Sequence, residues 1–181
     1  MNKNNKLEES LNKIFTKSGY KMINVSNKKE TYRKALATGE IILGPQVIEM
    51  IKIKKMPKGD PLSIAEISGI NGAKKTSELI PLCHPLPLDH ISLHTEINEK
   101  NYSIVVYCLV SANSKTGVEM EALSGVNSAL LTIYDLSKIV EPNLKITNTK
   151  LLVKSGGKKG LWINPDGIPD KIKNTLNLKN D

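Results

Sequence analysis

The sequence predicts an α+β protein in which an antiparallel sheet carries its helices on one face. Residues 91–97 alternate apolar and polar side chains, residues 102–110 favour a β-strand, and the short polar stretch between them is typical of a hairpin turn. A helix of about six turns is predicted from Val118 to Val140, where Glu141 and Pro142 end it. This order of elements favours the α+β class.

Earlier in the chain, short apolar runs alternate with turn residues. Met22–Val25 is predicted to form the first strand. Thr31–Ala37 fits a helix, whereas Glu40–Leu43 is more typical of an extended segment, so the run from 29 to 43 stays ambiguous. Pro45 suits the first turn of a helix. The inward side chains of that helix are predicted to be Val47, Ile48 and Ile51.

A second helix is predicted from Leu62 to about Leu79, after a loop with two prolines and a glycine. Gly69 and Gly72 would let another element approach its backbone closely. Its core-facing residues are predicted to be Ile64, Ala65, Ile67, Ile70 and Ala73. Prolines then interrupt regular structure up to the hairpin, and Ile146–Val153 is predicted to be the last strand.

Length and cysteine content bound the domain organisation and the class of protein. The 181 residues suit one domain at 22–160, with a flexible N-terminal extension at 1–21 and a polar C-terminal tail at 161–181. No stretch approaches the ~20 apolar residues of a membrane helix, and the N-terminus lacks an apolar secretory segment. Cys83 and Cys108 are too few for a disulfide framework, so a reduced, cytoplasmic protein without a membrane partner is expected.

The formal net charge of +8 raises the question of nucleic-acid binding. Residues 22–157 hold 16 basic and 13 acidic groups, a surplus of only three, so most of the excess lies in the Lys-rich ends. Arg33 is the only arginine, whereas proteins that read base edges or clamp phosphates rely on arginine. Solvated tails are therefore favoured, and no nucleic-acid partner is expected.

The long predicted helix has two distinct faces. At about 100° per residue, its apolar stripe contains Ala122, Val126, Ala129, Leu130, Ile133 and Leu136. The opposite, polar face contains Glu121, Ser124, Ser128, Thr132, Asp135 and Lys138. A solvated face is the ordinary interpretation. Small residues mixed with isolated charges also suit a surface against which another surface packs.

Other candidate residues lie in loops. His84, in a proline-bounded loop, suits proton exchange near neutral pH, with a structural histidine as the alternative. Its neighbour Cys83 has no base in the motif and suits a semi-buried position better than a nucleophile. The two Cys and three His lack the spacing of a zinc site, so no metal is expected. Three lysine loops lie at 58–60, 74–76 and 154–158, and in the first and third of them lysine lies close to glycine. Such loops suit phosphate or simply a solvated turn, although no P-loop motif is present.

Three longer motifs carry a resemblance to a known family. They are KKTSELIPLCHP at 74–85, KTGVEMEAL at 115–123 with ALLTIYD at 129–135, and LLVKSGGK at 151–158. In this order they resemble the cyclic pyranopterin monophosphate synthases of molybdenum-cofactor biosynthesis, over about residues 20–160. The resemblance implies conversion of a cyclised GTP, 3′,8-cyclo-7,8-dihydro-GTP, into cyclic pyranopterin monophosphate with release of diphosphate. Proton transfers and additions suffice for this lyase reaction, so no cofactor is expected.

The resemblance also implies roles for single residues. Asp135 matches the catalytic aspartate, and Lys58 and Lys138 match two essential lysines, expected as general acid and base; such a lysine needs a pKa lowered toward neutrality. His84 is either a proton relay or a binding residue, and Glu119 or Glu121 would bind the guanidine-like edge of the base. Residues implied in substrate binding are Arg33, Lys74, Leu82, Cys83, His84, Glu119, Met120, Glu121 and Lys154.

The family further implies a ferredoxin-like fold and a homohexamer built as a trimer of dimers. Its active sites would lie between subunits, so that Lys58 would act in a neighbour's pocket. Two alternatives stay open: an inactive nucleotide- or phosphate-binding homologue on the same fold, and a basic nucleic-acid-binding protein.

Overall fold

The computed structural model describes residues 5–7, 9–11, 19–170 and 172. Most of the predicted N-terminal extension and the end of the predicted C-terminal tail therefore lie outside the described residues. The elements, in chain order, are β1 (Thr31–Ile42), α1 (Pro45–Lys52), α2 (Pro61–Lys74), α3 (Thr76–Leu79), β2 (His90–Asn98), β3 (Ser103–Ser114), α4 (Glu119–Ser137), β4 (Lys145–Ser155) and β5 (Trp162–Ile163). No helix in this described part of the chain is long and apolar enough to cross a membrane.

The sheet has the strand order β2-β3-β1-β4-β5, and every neighbouring pair is antiparallel. Helices α2 and α4 follow β1 and β3 and pack against the sheet, which gives the β-α-β-β-α-β order of a ferredoxin-like fold. The predicted α+β class, the hairpin and the long helix are confirmed.

The central strand β1 packs tightly under α4. Ala35, Ala37 and Ile41 are at most 1% exposed. At Gly39, a Cβ atom would lie 2.7 Å from Cδ1 of Leu130, so the helix leaves no room for a side chain there. The sheet and α4 are thus held in direct contact, which fixes the orientation of the helix that carries most of the predicted site.

Helices α2 and α4 cross with almost no side chain between them. A Cβ atom at Gly69 would lie 3.0 Å from the carbonyl oxygen of Gly125, and one at Gly72 would lie 2.5 Å from Cβ of Ser128. Beside these contacts the Thr132 hydroxyl donates a hydrogen bond of 2.7 Å to Oγ of Ser68. The close approach predicted at the two α2 glycines is confirmed, and we call this contact the α2–α4 seam.

Two local predictions are wrong, and the structure resolves one segment that the sequence left ambiguous. Met22–Val25 is not a strand; Met22 and Ile23 are 46% and 70% exposed, and both sides of the central strand are already occupied by β3 and β4. Thr31–Ala37 is strand rather than helix, because it pairs with both of those strands. In α2, Ile64 and Ile67 are exposed rather than buried, because the seam turns the glycines inward.

The opposite face of the sheet carries a smaller apolar cluster. Its buried members are Leu152, Val153 and Ile168. Strand β5, within the predicted polar tail, adds Ile163 to this cluster and pairs with the end of β4. The two-residue strand has no sequence signal of its own, because so short a segment shows no alternation.

Candidate active site

The C-terminal end of α4 gathers two lysines around Asp135. Nζ of Lys138, one helical turn further on, lies 2.7 Å from Oδ1 of Asp135. Nζ of Lys58 lies 3.1 Å from Oδ2. Lys58 precedes α2, and the α2–α4 seam holds that loop against the end of α4. The structure therefore brings together three of the four residues for which the family resemblance implies catalytic roles, the fourth being His84, and we call these three the acid–base cluster.

The acid–base cluster is open to solvent and its charges are mutually satisfied. The side chains of Lys58, Asp135 and Lys138 are 40%, 52% and 53% exposed. Hydrogen bonds from Lys138 and then Lys58 lower the pKa of Asp135. The hydrogen bond to Asp135 raises the pKa of Lys138. The predicted lowering of a lysine pKa is thus absent at Lys138 in the single chain, because a carboxylate stabilises its charged form and little burial opposes it.

A second group of charges lies at the N-terminal end of α4. Nζ of Lys154, near the end of β4, donates a hydrogen bond of 2.9 Å to Oε1 of Glu119 in the first turn of the helix. Arg33 of β1 packs over Gly156 and Gly157, which have φ angles of 98° and 72°. Nε of Arg33 is buried and has no hydrogen-bond partner among the described residues. We call Arg33, Glu119 and Lys154, with Glu121, the binding group.

Glu121 is the most buried carboxyl of the binding group. It is 4% exposed, and Oε2 has no hydrogen-bond partner within the described chain. Burial raises the pKa of Glu121 to about 6, with a smaller contribution from Glu119. The helical period places Glu121 on the polar face of α4, yet its side chain is buried. The pKa of Cys83 is itself raised by burial and by the charge of Glu121.

The remaining predicted binding residues lie at the end of α2, in the loop after α3 and in the first turn of α4. Nε2 of His84 lies 2.9 Å from the carbonyl oxygen of Ile23; since a carbonyl only accepts, Nε2 donates. His84 therefore anchors the segment that leads into β1. Leu82 and Met120 are 50% and 38% exposed, and Lys74 is exposed at the end of α2.

A cavity of about 650 Å³ opens beside the binding group. Arg33, Glu119 and Lys154 line it, but so do Lys28 and Lys29, which sequence reasoning missed. The only signal for these two lysines is their position just before β1, where an exposed turn is an equally good interpretation.

The length of α4 separates the binding group from the acid–base cluster. Glu119 and Asp135 are sixteen positions apart on one helix, and at 1.5 Å per residue the distance along the axis is ~24 Å. Within one chain the structure thus assembles the predicted residues as two groups, and it does not bring those groups together.

The comparisons with known proteins all indicate the same family. The MoaC family profile matches residues 22–157. The chain is 47% identical over 143 residues to a cyclic pyranopterin monophosphate synthase of Syntrophomonas wolfei, an alignment that covers 78% of this chain and 91% of that protein. It is 44% identical over 146 residues to a protein of the same name from Aquifex aeolicus, covering 81% of this chain and 57% of the relative. It is 44% identical over 141 residues to a mitochondrial cyclic pyranopterin monophosphate synthase of Arabidopsis thaliana, covering 78% and 52%.

The chain thus spans little more than half the length of the Aquifex and Arabidopsis relatives, but nearly all of the Syntrophomonas protein. The matched region contains β1 through β4 and both charged groups. On this evidence the chain belongs to the MoaC family.

Proposed function

We propose that this protein is a cyclic pyranopterin monophosphate synthase. It converts 3′,8-cyclo-7,8-dihydro-GTP into cyclic pyranopterin monophosphate and releases diphosphate, as a step of molybdenum-cofactor biosynthesis. The acid–base cluster carries the proposal, since two amines within 3.1 Å of one carboxylate suit a reaction made of proton transfers. The relatives at 44–47% identity that bear this enzyme's name support it. The two free cysteines agree with a reducing cytoplasmic location.

We infer that each active site is shared by two copies of the chain. The ~24 Å between the two charged groups is too long for one small substrate to bridge within a chain. Ser128 is the middle residue of α4, but its side chain faces α2 in the seam, so a second α4 helix would pack on the exposed side that carries Leu131. Two α4 helices packed antiparallel through that side, about a twofold axis level with Ser128, would bring Asp135 close to the partner subunit's Glu121. The exposed apolar side chains of Ile67 and Leu131, 63% and 62% exposed, suit such a contact. Three such dimers would form the hexamer implied by the resemblance.

A site shared between two subunits would lower the pKa of a lysine in the acid–base cluster. Covering the acid–base cluster removes water, and the partner's Lys154 and Arg33 add positive charge; both effects lower a lysine pKa toward the range of a general base. One lysine then accepts a proton while the other donates one. Glu121 would accept hydrogen bonds from the guanidine-like edge of the substrate, which satisfies its unpartnered oxygen.

The test is anaerobic incubation of the purified protein with 3′,8-cyclo-7,8-dihydro-GTP, with cyclic pyranopterin monophosphate and diphosphate read by mass spectrometry. Asp135→Asn, Lys58→Ala and Lys138→Ala should each lower turnover by about 10²–10⁴-fold. Asp166→Asn is the matched control, because Asp166 is another exposed aspartate paired with a lysine, Lys150. A folded, assembled wild type without product would refute the assignment, and binding without chemistry would favour the inactive homologue.

Site sharing has a separate test. Asp135→Asn and Arg33→Ala chains, each inactive alone, are co-expressed with different tags and purified through both. In every mixed dimer, one of the two sites combines an intact acid–base cluster with an intact binding group. Turnover should therefore recover to about half of the wild-type level in doubly tagged dimers, or to about a quarter in doubly tagged hexamers built from random dimers. Absence of recovery in doubly tagged protein would show that each site belongs to one chain.

A further inference from the structure

The short strand β5 lies beyond the region that matches the MoaC profile, yet it is firmly attached to the sheet. It pairs with the end of β4, where Trp162 lies directly opposite Lys154. Just after β5, the backbone N–H and the side-chain amide of Asn164 donate hydrogen bonds of 2.8 and 2.7 Å to the carbonyl oxygens of Leu152 and Leu151. These bonds fix the register of β5 and therefore keep Trp162 beside Lys154.

Trp162 and Lys154 share the helix-bearing face of the sheet. Residues directly opposite each other in an antiparallel pair have their side chains on one face. Lys154 is also opposite Ala35 of β1, which is buried under the helices, and its Nζ reaches Glu119 in α4. On this face Nζ of Lys154 lies 5.9 Å from the centroid of the Trp162 ring. A cation–π interaction extends to about 6 Å, so the ring and the ammonium group are in contact range.

The ammonium group of Lys154 needs more than one neighbour to stay in one place. Lysine carries its charge on a long, flexible stem. The ion pair with Glu119 joins side chains that are 36% and 28% exposed, and a pair open to solvent gives little order by itself. Tryptophan offers the best aromatic face for a cation. The ring and the carboxylate together therefore restrict Lys154 in a way that the carboxylate alone does not.

Trp162 affects the cavity beside the binding group only through Lys154. Lys154 and Glu119 line that cavity, whereas Trp162 is not among its lining residues in the described chain. A ligand in the cavity would meet the ammonium group and not the indole ring. The ring therefore decides where a binding residue points, without being a contact of the ligand.

We propose that Trp162 is a positioning residue of the binding group, whose ring holds the ammonium group of Lys154 against Glu119 at the place where the substrate meets it. The effect on substrate rests on the proposed function, whereas the contact between ring and ammonium group does not. Without the ring, Lys154 leaves Glu119 more often and meets the substrate less well. The C-terminal tail, for which the sequence indicates only a polar segment, thus contributes one residue to the site.

The first experiment measures the chemical reactivity of Lys154 in the full chain and needs no substrate. The protein is treated with limiting acetic anhydride, and acetylation of each lysine is read by peptide mass spectrometry. In Trp162→Leu we expect the rate at Lys154, relative to the other lysines, to rise about threefold or more, because the amine loses the ring that shields it. Trp162→Phe keeps an aromatic face and should restore most of the protection. Leu161→Ala, at the exposed neighbouring position, is the control and should leave the rate unchanged.

Two results of this experiment would overturn the proposal. One is an unchanged rate at Lys154 in folded Trp162→Leu. The other is an equal rise at Lys150, whose partner Asp166 follows β5 at 3.5 Å. That second result would show that the whole segment leaves β4, so that strand pairing rather than the ring protects Lys154.

The second experiment follows turnover of 3′,8-cyclo-7,8-dihydro-GTP. In Trp162→Leu we expect KM to rise about threefold to tenfold with kcat changed far less, and Trp162→Phe to stay close to the wild type. A merely structural loss would lower the active fraction, and thus kcat, without changing KM. Raised reactivity of Lys154 with an unchanged KM would overturn the positioning role. A wild type without turnover, in which Lys154 still shows the expected reactivities, would refute the proposed function and leave the contact between Trp162 and Lys154 intact.

Discussion

The two ends of α4 hold similar charged side chains in opposite surroundings. At the C-terminal end, Lys58, Asp135 and Lys138 are 40–53% exposed, and the Asp135 carboxylate pairs with both amines. At the N-terminal end, Glu121 is 4% exposed, and polar atoms of Glu121 and Arg33 have no partner in the described chain. The first group is satisfied by its own ion pairs, whereas the second contains buried polar atoms without a partner in the described chain.

The dipole of α4 adds to the difference between the two ends of the helix. Glu119 and Glu121 lie in the first turn of α4, where the helix dipole stabilises negative charge. Asp135 lies in the last turn, where the dipole opposes a carboxylate and favours cations such as Lys138. Asp135 therefore depends on its two lysines more than an exposed aspartate elsewhere would, and losing one lysine disturbs both other members of the cluster.

The largest effect should come from Gly72→Ala, which disturbs the acid–base cluster without touching its charges. The new Cβ would lie 2.5 Å from Cβ of Ser128 and 3.0 Å from the carbonyl oxygen of Ser124, so the α2–α4 seam must open. We expect a loss of about 2–3 kcal/mol in unfolding free energy and a sharp fall in kcat as Lys58 moves from Asp135. Thermal unfolding and turnover measure this. Asn71→Ala, at the exposed neighbouring position, is the control and should change neither.

Gly157→Ala tests the binding group. Its φ of 72° strains an alanine by about 1–2 kcal/mol, and the added Cβ meets the guanidinium of Arg33. Gly167→Ala carries the same kind of strain at φ 85° with nothing within 4 Å. Both variants should lose similar stability, but only Gly157→Ala should raise KM, by about tenfold. A matching rise in KM for Gly167→Ala would mean that strain, rather than displacement of Arg33, is responsible.

Glu121→Gln should make stability less dependent on pH. The pKa of Glu121 is raised from 4.5 to about 6 in the fold, so between these values the native state binds more protons than the unfolded state. The unfolding free energy of the wild type therefore falls as pH rises through that window, and the glutamine removes this fall. At pH 8 we expect the variant to be more stable by about 1 kcal/mol, or roughly 2–4 °C in Tm. At pH 4 the two should agree, because both side chains are then neutral.

Thermal melts at pH 4, 6 and 8 measure the stability difference between Glu121→Gln and the wild type. Glu49→Gln, on the exposed side of α1, is the control. A constant difference between Glu121→Gln and wild type across this range would show that the carboxyl does not titrate there. Turnover should fall in Glu121→Gln at every pH, since the amide is a weaker acceptor for the substrate.

The smallest effect is expected at Ser137, in the last turn of α4 beside the acid–base cluster. Ser137 is fully buried, and its hydroxyl has no hydrogen-bond partner in the described chain. Ser137→Ala removes that unsatisfied group and should add about 0.5–1 kcal/mol to the unfolding free energy. Chemical denaturation measures this change in unfolding free energy. Ser63→Ala is the contrasting control: the Ser63 hydroxyl donates a hydrogen bond to Asp60, so its removal should destabilise the protein. A destabilised Ser137→Ala would point to a partner for the hydroxyl, such as a buried water.

Long periodic segments were the predictable part of the fold. The sequence defines α4 and the hairpin because their patterns extend over many residues, and α1 because Pro45 marks its start. The strand at Thr31–Ala37 is hidden, because its Ala, Lys and Arg residues suit a helix and only pairing with β3 and β4 makes it a strand. In this segment, pairing with β3 and β4 outweighs the local preference for a helix.

The candidate site also contains residues that local sequence patterns predict and residues that they do not. Asp135 and Lys138 are predictable as an i,i+3 pair from the helix alone. Lys58 and Arg33 lie far from α4 in sequence, and only the family resemblance relates them to it. The burial of Glu121 has no sequence signal, and Lys28 and Lys29 have only their position just before β1, because both features depend on how the chain folds around the start of α4.

The order of the strands across the sheet bears on how the protein is made. The central strand β1 is synthesised first among the strands, but its partners are residues 103–114 and 145–155. At 5–20 residues per second, β1 waits ~5–20 s for its second neighbour. During that time the ribosome-bound chain presents Ala35, Ala37 and Ile41 on a strand with open edges, a template for wrong pairing. The segment therefore stays without its native neighbours until residue 155 has been synthesised, and this delay follows from the strand order rather than from the length of the chain.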